Sequence, residues 1–138
     1  MWFGIDVGTV RVGVARSDVT GTIASPITTL ARDAVHNQDL DDIVALVTES
    51  AAVGVVVGLP RTLKNREGQS AEMARAYAAL LEQRLDVPVE LVDERLTTVQ
   101  ARRTLDQHGL RGRAQRAVVD QAAAAALLQH WLDTYAAR

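Results

Sequence analysis

The run GVVVGLP at residues 54–60 restricts the fold of this chain more than any other segment. It is continuously apolar and ends at Pro60, a pattern typical of a strand that is buried on both faces. Such a strand needs covering elements above and below it. Apolar residues at helical spacing precede it at about 39–52, and a second helical segment follows at about 70–85. The sequence therefore predicts an α/β fold.

The other segments complete a sheet of five strands. We predict strands at 2–7, 10–16, about 22–30, 54–60 and 87–94, and helices at about 39–52, 70–85, 98–108 and 118–135, with a loop at 109–115. Pro26 makes the third strand an edge or bulged strand. Three strands joined by short turns, followed by two βα crossovers, predict a mixed five-stranded sheet flanked by helices on both faces. This order fits the ribonuclease H-like architecture, and periodicity leaves a flavodoxin-like arrangement open.

Length and composition indicate one globular domain over residues 1–138, with 48% hydrophobic residues. The chain has no cysteine, so disulfides and thiolate metal sites are excluded. No stretch approaches the roughly 18 apolar residues of a membrane span, and the N-terminus begins directly with a strand pattern. We therefore expect a cytoplasmic protein without a membrane partner.

Asp6 is an acid inside an otherwise apolar strand. Because side chains alternate along a strand, it shares a face with Gly4 and Gly8, which leave room for a ligand or a backbone to approach. The alternative is a helix packed over the glycine pair, with the carboxylate bonded to a turn. Burial of an unpaired carboxylate costs several kcal/mol, so Asp6 is expected to have a partner.

Two further acids follow the fifth strand in the segment VDERLTT at 92–98. Asp93 and Glu94 are adjacent, so only one of them can face the same side as Asp6, and alternation leaves the choice open. Both lie at the carboxyl end of a crossover strand, where ligands gather in open α/β sheets. The alternative is that they solvate the strand end while Thr97 or Thr98 caps the next helix.

Asp120 is the first residue on the most apolar face of the last predicted helix. The residues that share this face are Ala123, Ala124, Leu127, Leu128 and Trp131. The small alanines let the helix lie close to the sheet and carry Asp120 toward the strand ends. The alternative is an acid at the helix N-terminus that interacts favourably with the helix dipole, worth about 0.3–1 kcal/mol.

Three carboxylates that converged without a cation would repel one another. Ligands that are all oxygen select Mg²⁺ or Mn²⁺, and two such ions about 3.5–4 Å apart could clamp the attacking and leaving oxygens of a phosphodiester. The three histidines, His36, His108 and His130, are scattered along the chain, and we predict no metal-binding role for them.

Positive charge is concentrated in residues 95–116, which contain six arginines and one aspartate in a chain of net charge −2. A basic segment on an otherwise acidic body suits a surface that follows phosphates. The alternative is a solvated helix face with its adjoining loop.

Four segments carry a resemblance to a known family: DVGTVRVGVA at 6–15, VGLP at 57–60, VDERLTT at 92–98 and VVDQAAA at 118–124. In order and spacing they resemble the YqgF family, the bacterial pre-16S rRNA nucleases that are also described as Holliday junction resolvase-like. The resemblance covers nearly the whole chain. It implies a ribonuclease H-like fold and metal-dependent phosphodiester cleavage, with Asp6, Glu94 and Asp120 as the catalytic acids.

The same resemblance implies which cofactors and partners to expect. Mg²⁺ or Mn²⁺ is expected at the three acids, with two ions present when substrate is bound. The residues expected to hold backbone phosphates are Arg11, Lys64, Arg95, Arg113 and Arg116. Structured precursor ribosomal RNA is the preferred substrate on family grounds, and a four-way DNA junction is the alternative. We expect a monomer or a weak homodimer, with a stable dimer favouring the junction.

Two other functional classes are alternatives. DVGT also resembles the first phosphate motif of actin-like sugar kinases and chaperone ATPases, but those folds need two duplicated lobes, which 138 residues with one such motif do not provide. A non-catalytic RNA-binding or assembly factor that keeps the acids for folding is the third hypothesis.

Overall fold

The computed structural model describes residues 1–60, 68–94 and 113–136, with the backbone only at 113–117 and 136. Its elements in chain order are β1 (Trp2–Val7), β2 (Arg11–Ser17), β3 (Ala24–Ala31), α1 (Gln38–Glu49), β4 (Gly54–Leu59), α2 (Gln69–Arg84), β5 (Val89–Asp93), α3 (Arg113–Trp131) and a π-helical turn, Leu132–Ala136. The helix predicted at 98–108 lies outside the described residues. Within the described ranges, every helix is too short or too polar to span a bilayer.

The five strands form one sheet in the order β3-β2-β1-β4-β5. Strands β1, β2 and β3 pair antiparallel, whereas β4 pairs parallel with both β1 and β5. The predicted mixed sheet is confirmed. A flavodoxin-like order is excluded because that doubly-wound sheet is parallel, whereas β2 here runs antiparallel to both of its neighbours.

Strand β3 confirms the prediction made from Pro26. It lies at the edge of the sheet and pairs on one side only. Pro26, which has no N–H, is therefore tolerated there. Its register against β2 shifts between Val14, which faces Thr28, and Ala15, which faces Pro26. Ile27 is the extra residue of this bulge.

The two faces of the sheet carry different cores. The first, which we call the α1/α2 face, packs large residues from β1, β2, β4 and both helices: Phe3, Ile5, Val12, Val57, Leu40, Ile43, Tyr77 and Leu81. The second, the α3 face, is built from smaller residues: Ala15, Val56, Val92, Ala123, Ala124, Leu127 and Leu128. Small side chains let α3 approach the strands closely, which positions the candidate site.

Helix α3 begins at Arg113, five residues before the predicted start, so the loop predicted at 109–115 is wrong at its end. The sequence 113–117 lacks the apolar periodicity by which the helix was recognised. Arginine, alanine and glutamine are nevertheless good helix formers, so a helix already held by its apolar face can extend through them. At the other end, the α-helix stops at Trp131 and a π-helical turn follows.

Candidate active site

Asp6 lies in the middle of the sheet and is buried, with 5% of its surface exposed. Its neighbours Ile5 and Val7 belong to the core of the α1/α2 face, so alternation directs Asp6 to the α3 face. Across the antiparallel ladder its partner is Gly13. On the other side, Gly58 directly follows Val57, the partner of Ile5. Asp6 is therefore flanked by a glycine on each neighbouring strand.

Gly13 brings helix α3 against the sheet beside Asp6. A Cβ atom on Gly13 would lie 2.1 Å from the backbone oxygen of Asp120, so only glycine permits this approach. Asp120 is the eighth residue of α3, in its third turn. The helix-dipole alternative for Asp120 is therefore wrong, because that effect falls off within the first turn.

Gly58 leaves the space that the Glu94 side chain occupies. A Cβ atom on Gly58 would lie 2.6 Å from the Oε1 atom of Glu94 and 3.0 Å from Cδ2 of Leu127. Glu94 follows the last residue of β5 and is 2% exposed, whereas Asp93 pairs with Leu59 in the ladder and is only half-buried. The space left by the glycine holds the Glu94 carboxylate, so Glu94 rather than Asp93 lies on the α3 face.

The Asp6 side chain, the Glu94 carboxylate and the Asp120 backbone thus occupy adjacent positions on the α3 face. Adjacent strands lie about 4.8 Å apart, so the two glycines that flank Asp6 are about 10 Å apart. The acids do not yet form a metal cluster. Within the described residues, no three side chains of the His, Cys, Asp or Glu type lie close enough together to hold an ion.

Arg11 accounts for the direction of the Asp120 carboxylate. Its Nε–H donates a hydrogen bond to Oδ2 of Asp120 over 2.8 Å, and the two side chains are 26% and 19% exposed. Such a charge-assisted bond directs the Asp120 carboxylate toward β2. Arg11 was predicted to hold a phosphate; in the structure its guanidinium contacts one of the predicted catalytic acids.

The remaining predicted contacts to phosphate have no described side chain. Lys64 and Arg95 lie outside the described residues, and Arg113 and Arg116 are described only as backbone in the first turn of α3. Their roles in binding stay predictions. The same holds for the catalytic roles of Asp6, Glu94 and Asp120.

A second buried polar cluster lies on the α1/α2 face, and no sequence pattern predicts it. Asp39 is 1% exposed and accepts hydrogen bonds from Arg32 Nη1 at 3.0 Å and from the Tyr77 hydroxyl at 2.8 Å. The Arg32 guanidinium lies 5.0 Å from the centre of the Tyr77 ring. Burial, followed by the Asp39 carboxylate, raises the pKa of Tyr77 well above its ordinary value. These bonds join the start of α1 to α2, which is a structural task.

Comparison with solved structures defines the class of protein. The fold matches Thermus thermophilus RuvC with a TM-score of 0.55 at 15% identity, covering 99% of this chain and 96% of that one. A RuvC chain of the same organism in complex with a Holliday junction substrate matches with a TM-score of 0.54 at 13% identity, covering 99% and 95%. The chain therefore shares the ribonuclease H-like fold of these RuvC structures.

The family follows from sequence. Residues 1–134 match the family model described as "RuvX: Holliday junction resolvase", and the chain belongs to this family. A protein of Frankia casuarinae is 54% identical over 132 residues, which cover 95% of this chain and 65% of that protein. One of Mycobacteroides abscessus is 50% identical over 131 residues, covering 94% and 79%. Both relatives carry the name "Putative pre-16S rRNA nuclease".

Proposed function

We propose that this protein is a metal-dependent nuclease that hydrolyses phosphodiester bonds, with Asp6, Glu94 and Asp120 as its catalytic acids. The observation that carries the proposal is the position of the three acids on the α3 face: Asp6 lies between Gly13, which the Asp120 backbone approaches, and Gly58, which the Glu94 carboxylate approaches. Membership of a resolvase family supports the same chemistry.

The donor set fits a divalent ion. All three candidate ligands are carboxylates, as Mg²⁺ and Mn²⁺ prefer, and Gly58 leaves a cradle that the Glu94 carboxylate fills. When bound, two such ions supply Lewis-acid stabilisation of the attacking and leaving oxygens. Asp6, Glu94 and Asp120 are the residues that would hold the ions.

The arginines and the lysine would supply the contacts to the nucleic-acid backbone. Arg11, Lys64, Arg95, Arg113 and Arg116 are the candidates, and the last three belong to the basic segment 95–116. Contacts of this kind fix the register of the nucleic acid and make its affinity fall with salt.

For the substrate, we propose the structured 5′ end of precursor 16S ribosomal RNA. The support is the name carried by relatives at about half identity. Cytoplasmic location and a monomeric or weakly dimeric state belong to the same proposal. A four-way DNA junction is the second candidate, because the family model is described as a Holliday junction resolvase.

The test is cleavage of both substrates, a precursor rRNA end and a four-way junction, each with Mg²⁺, Mn²⁺ or EDTA. We expect cleavage of the rRNA end with either metal and none with EDTA. Asp6→Asn and Glu94→Gln should each reduce the rate more than about 100-fold, since even the outer partners of metal ligands are worth about 10–100-fold.

Matched controls are available in the same fold. Glu90→Gln changes an exposed glutamate of the same strand β5, and Asp86→Asn changes an exposed aspartate in the turn before it. Both should cleave at the unsubstituted rate. Faster cleavage of the junction than of the rRNA would favour the second candidate. Tight RNA binding without cleavage under any condition would instead indicate an assembly factor.

A further inference from the structure

The pair formed by Arg11 and Asp120 affects how divalent ions would bind at the three acids. The Nε of Arg11, at the start of β2, lies 2.8 Å from Oδ2 of Asp120 in α3. The Asp120 backbone touches Gly13, the ladder partner of Asp6. A permanent positive charge therefore lies on one of the three acids to which the proposed function assigns divalent ions.

A guanidinium and a divalent ion compete for the same oxygen. A carboxylate oxygen that accepts a short bond from Arg11 presents less of its charge to a metal, and two cations at the same site repel each other. The described residues hold no ready metal cluster, which agrees with an Asp120 carboxylate directed toward β2.

The Arg11 guanidinium can also bind a phosphate. A guanidinium forms paired hydrogen bonds with phosphate as readily as with carboxylate, and the Arg11 side chain is one quarter exposed, so a bound ligand can reach it. A guanidinium displaced from Asp120 by a metal ion would be free to bind a backbone phosphate at the same edge of the site.

We propose that Arg11 is the resident counter-cation of this site: it holds Asp120 in the metal-free protein and exchanges it for a nucleic-acid phosphate when a divalent ion binds. Arg11 is a positioning residue in this scheme. The exchange makes metal and nucleic acid bind cooperatively, because each favours the arrangement that the other needs. This inference rests on the proposed function and specifies how its site is regulated.

The experiment measures Mn²⁺ affinity by calorimetry for the unsubstituted protein and for Arg11→Gln, with and without a non-cleavable RNA. Without RNA, Arg11→Gln should bind Mn²⁺ about fivefold more tightly, since the guanidinium that competes for Asp120 is gone, and RNA should improve its metal affinity less than it does for the unsubstituted protein. Arg16→Gln is the matched control, because Arg16 is an exposed arginine of the same strand whose side chain alternates to the other face. Its Mn²⁺ affinity should not change.

A second measurement needs no substitution. The proton chemical shift of the Arg11 Nε–H should change when Mg²⁺ and RNA are added together, because its acceptor changes from the Asp120 carboxylate to a phosphate. Unchanged Mn²⁺ affinity in a folded Arg11→Gln variant, or an Arg11 Nε–H shift that is the same with and without both ligands, would overturn the exchange. Absence of Mn²⁺ binding to the unsubstituted protein would instead overturn the proposed metal site, so the two failures are distinguishable.

Discussion

Among the described residues, two pairs of arginine and aspartate lie on opposite faces of the sheet and differ in their surroundings. On the α1/α2 face, the Asp39 side chain is fully buried and accepts bonds from Arg32, from Tyr77 and from the backbone N–H of Asp33. On the α3 face, Asp120 pairs with Arg11, and the two side chains are 19% and 26% exposed. The first pair stabilises the fold, whereas the second can be reached by a ligand.

The comparison teaches how to separate structural acids from functional ones. A buried carboxylate surrounded by large side chains and backbone donors is held in one arrangement. On the α3 face, the space beside the glycines is occupied by the α3 backbone and by the Glu94 carboxylate, and the partly exposed Asp120 side chain is accessible to a ligand. Four substitutions test this difference, taken in order of their effect on the free energy of unfolding.

The largest loss of stability should come from Arg32→Gln. This change leaves the Asp39 carboxylate buried without its cation, and breaking a buried pair by removing one partner costs about 3–5 kcal/mol. Urea unfolding measures the change. Arg84→Gln is the control, because it removes an exposed pair with Asp41 that should contribute less than about 1 kcal/mol. Equal losses in the two variants would contradict the structural role of the Arg32 pair.

Gly13→Ala should destabilise the protein by about 3 kcal/mol, the upper end of the usual cost of overpacking, because the new methyl group meets the backbone of α3 rather than a movable side chain. Thermal unfolding measures this change. A Cβ on Gly68 meets nothing within 4 Å, so Gly68→Ala is the steric control. A Gly13→Ala variant as stable as this control would show that α3 does not lie against β2 as described.

Tyr77→Phe should cost about 1.5 kcal/mol at pH 8, the lower end for a hydrogen bond to a charged group. It should also change the pH dependence. The pKa of Tyr77 is raised in the folded state, so its contribution is complete below the unfolded value near 10 and is lost as pH rises above it. Urea unfolding at pH 8 and pH 10.5 should show a steeper loss for the unsubstituted protein than for Tyr77→Phe. Parallel losses would contradict the burial of this hydroxyl.

Gly58→Ala should have the smallest effect on stability, below about 1 kcal/mol, yet a clear effect on cleavage. The new methyl group would lie 2.6 Å from the end of the flexible Glu94 side chain, which can move aside at little cost. Moving this carboxylate displaces a proposed metal ligand, so the cleavage rate should fall at least about tenfold. Normal cleavage by a folded Gly58→Ala variant would show that the space at Gly58 is not needed for cleavage.

The fold could be predicted from local patterns because each carried one clear physical constraint. The apolar run of β4 requires cover on both faces, and Pro26 requires an edge or a bulge. The start of α3 could not be predicted, because residues 113–117 have helix propensity without the apolar spacing that marks a helix in sequence. The extent of the single domain stays a prediction.

The sequence indicated the acids of the candidate site but not their partners. Asp6 and Asp120 stand out as charges on apolar faces; alternation left Asp93 and Glu94 open, the family resemblance selected Glu94, and the structure places Glu94 at Gly58. The catalytic roles of the three acids stay predictions. The bond between Arg11 and Asp120 joins residues 109 positions apart, so no local spacing could indicate it. Glycine inside an apolar strand was the usable signal for Gly13 and Gly58.

The most direct measurement is anomalous diffraction from crystals of the protein with Mn²⁺ and a non-cleavable RNA. We predict manganese peaks about 2.1 Å from carboxylate oxygens of Asp6, Glu94 and Asp120, with the Arg11 guanidinium turned away from Asp120 toward a phosphate. RNA bound beside these acids with manganese elsewhere, or with no manganese, would contradict the assignment of this face as the catalytic site.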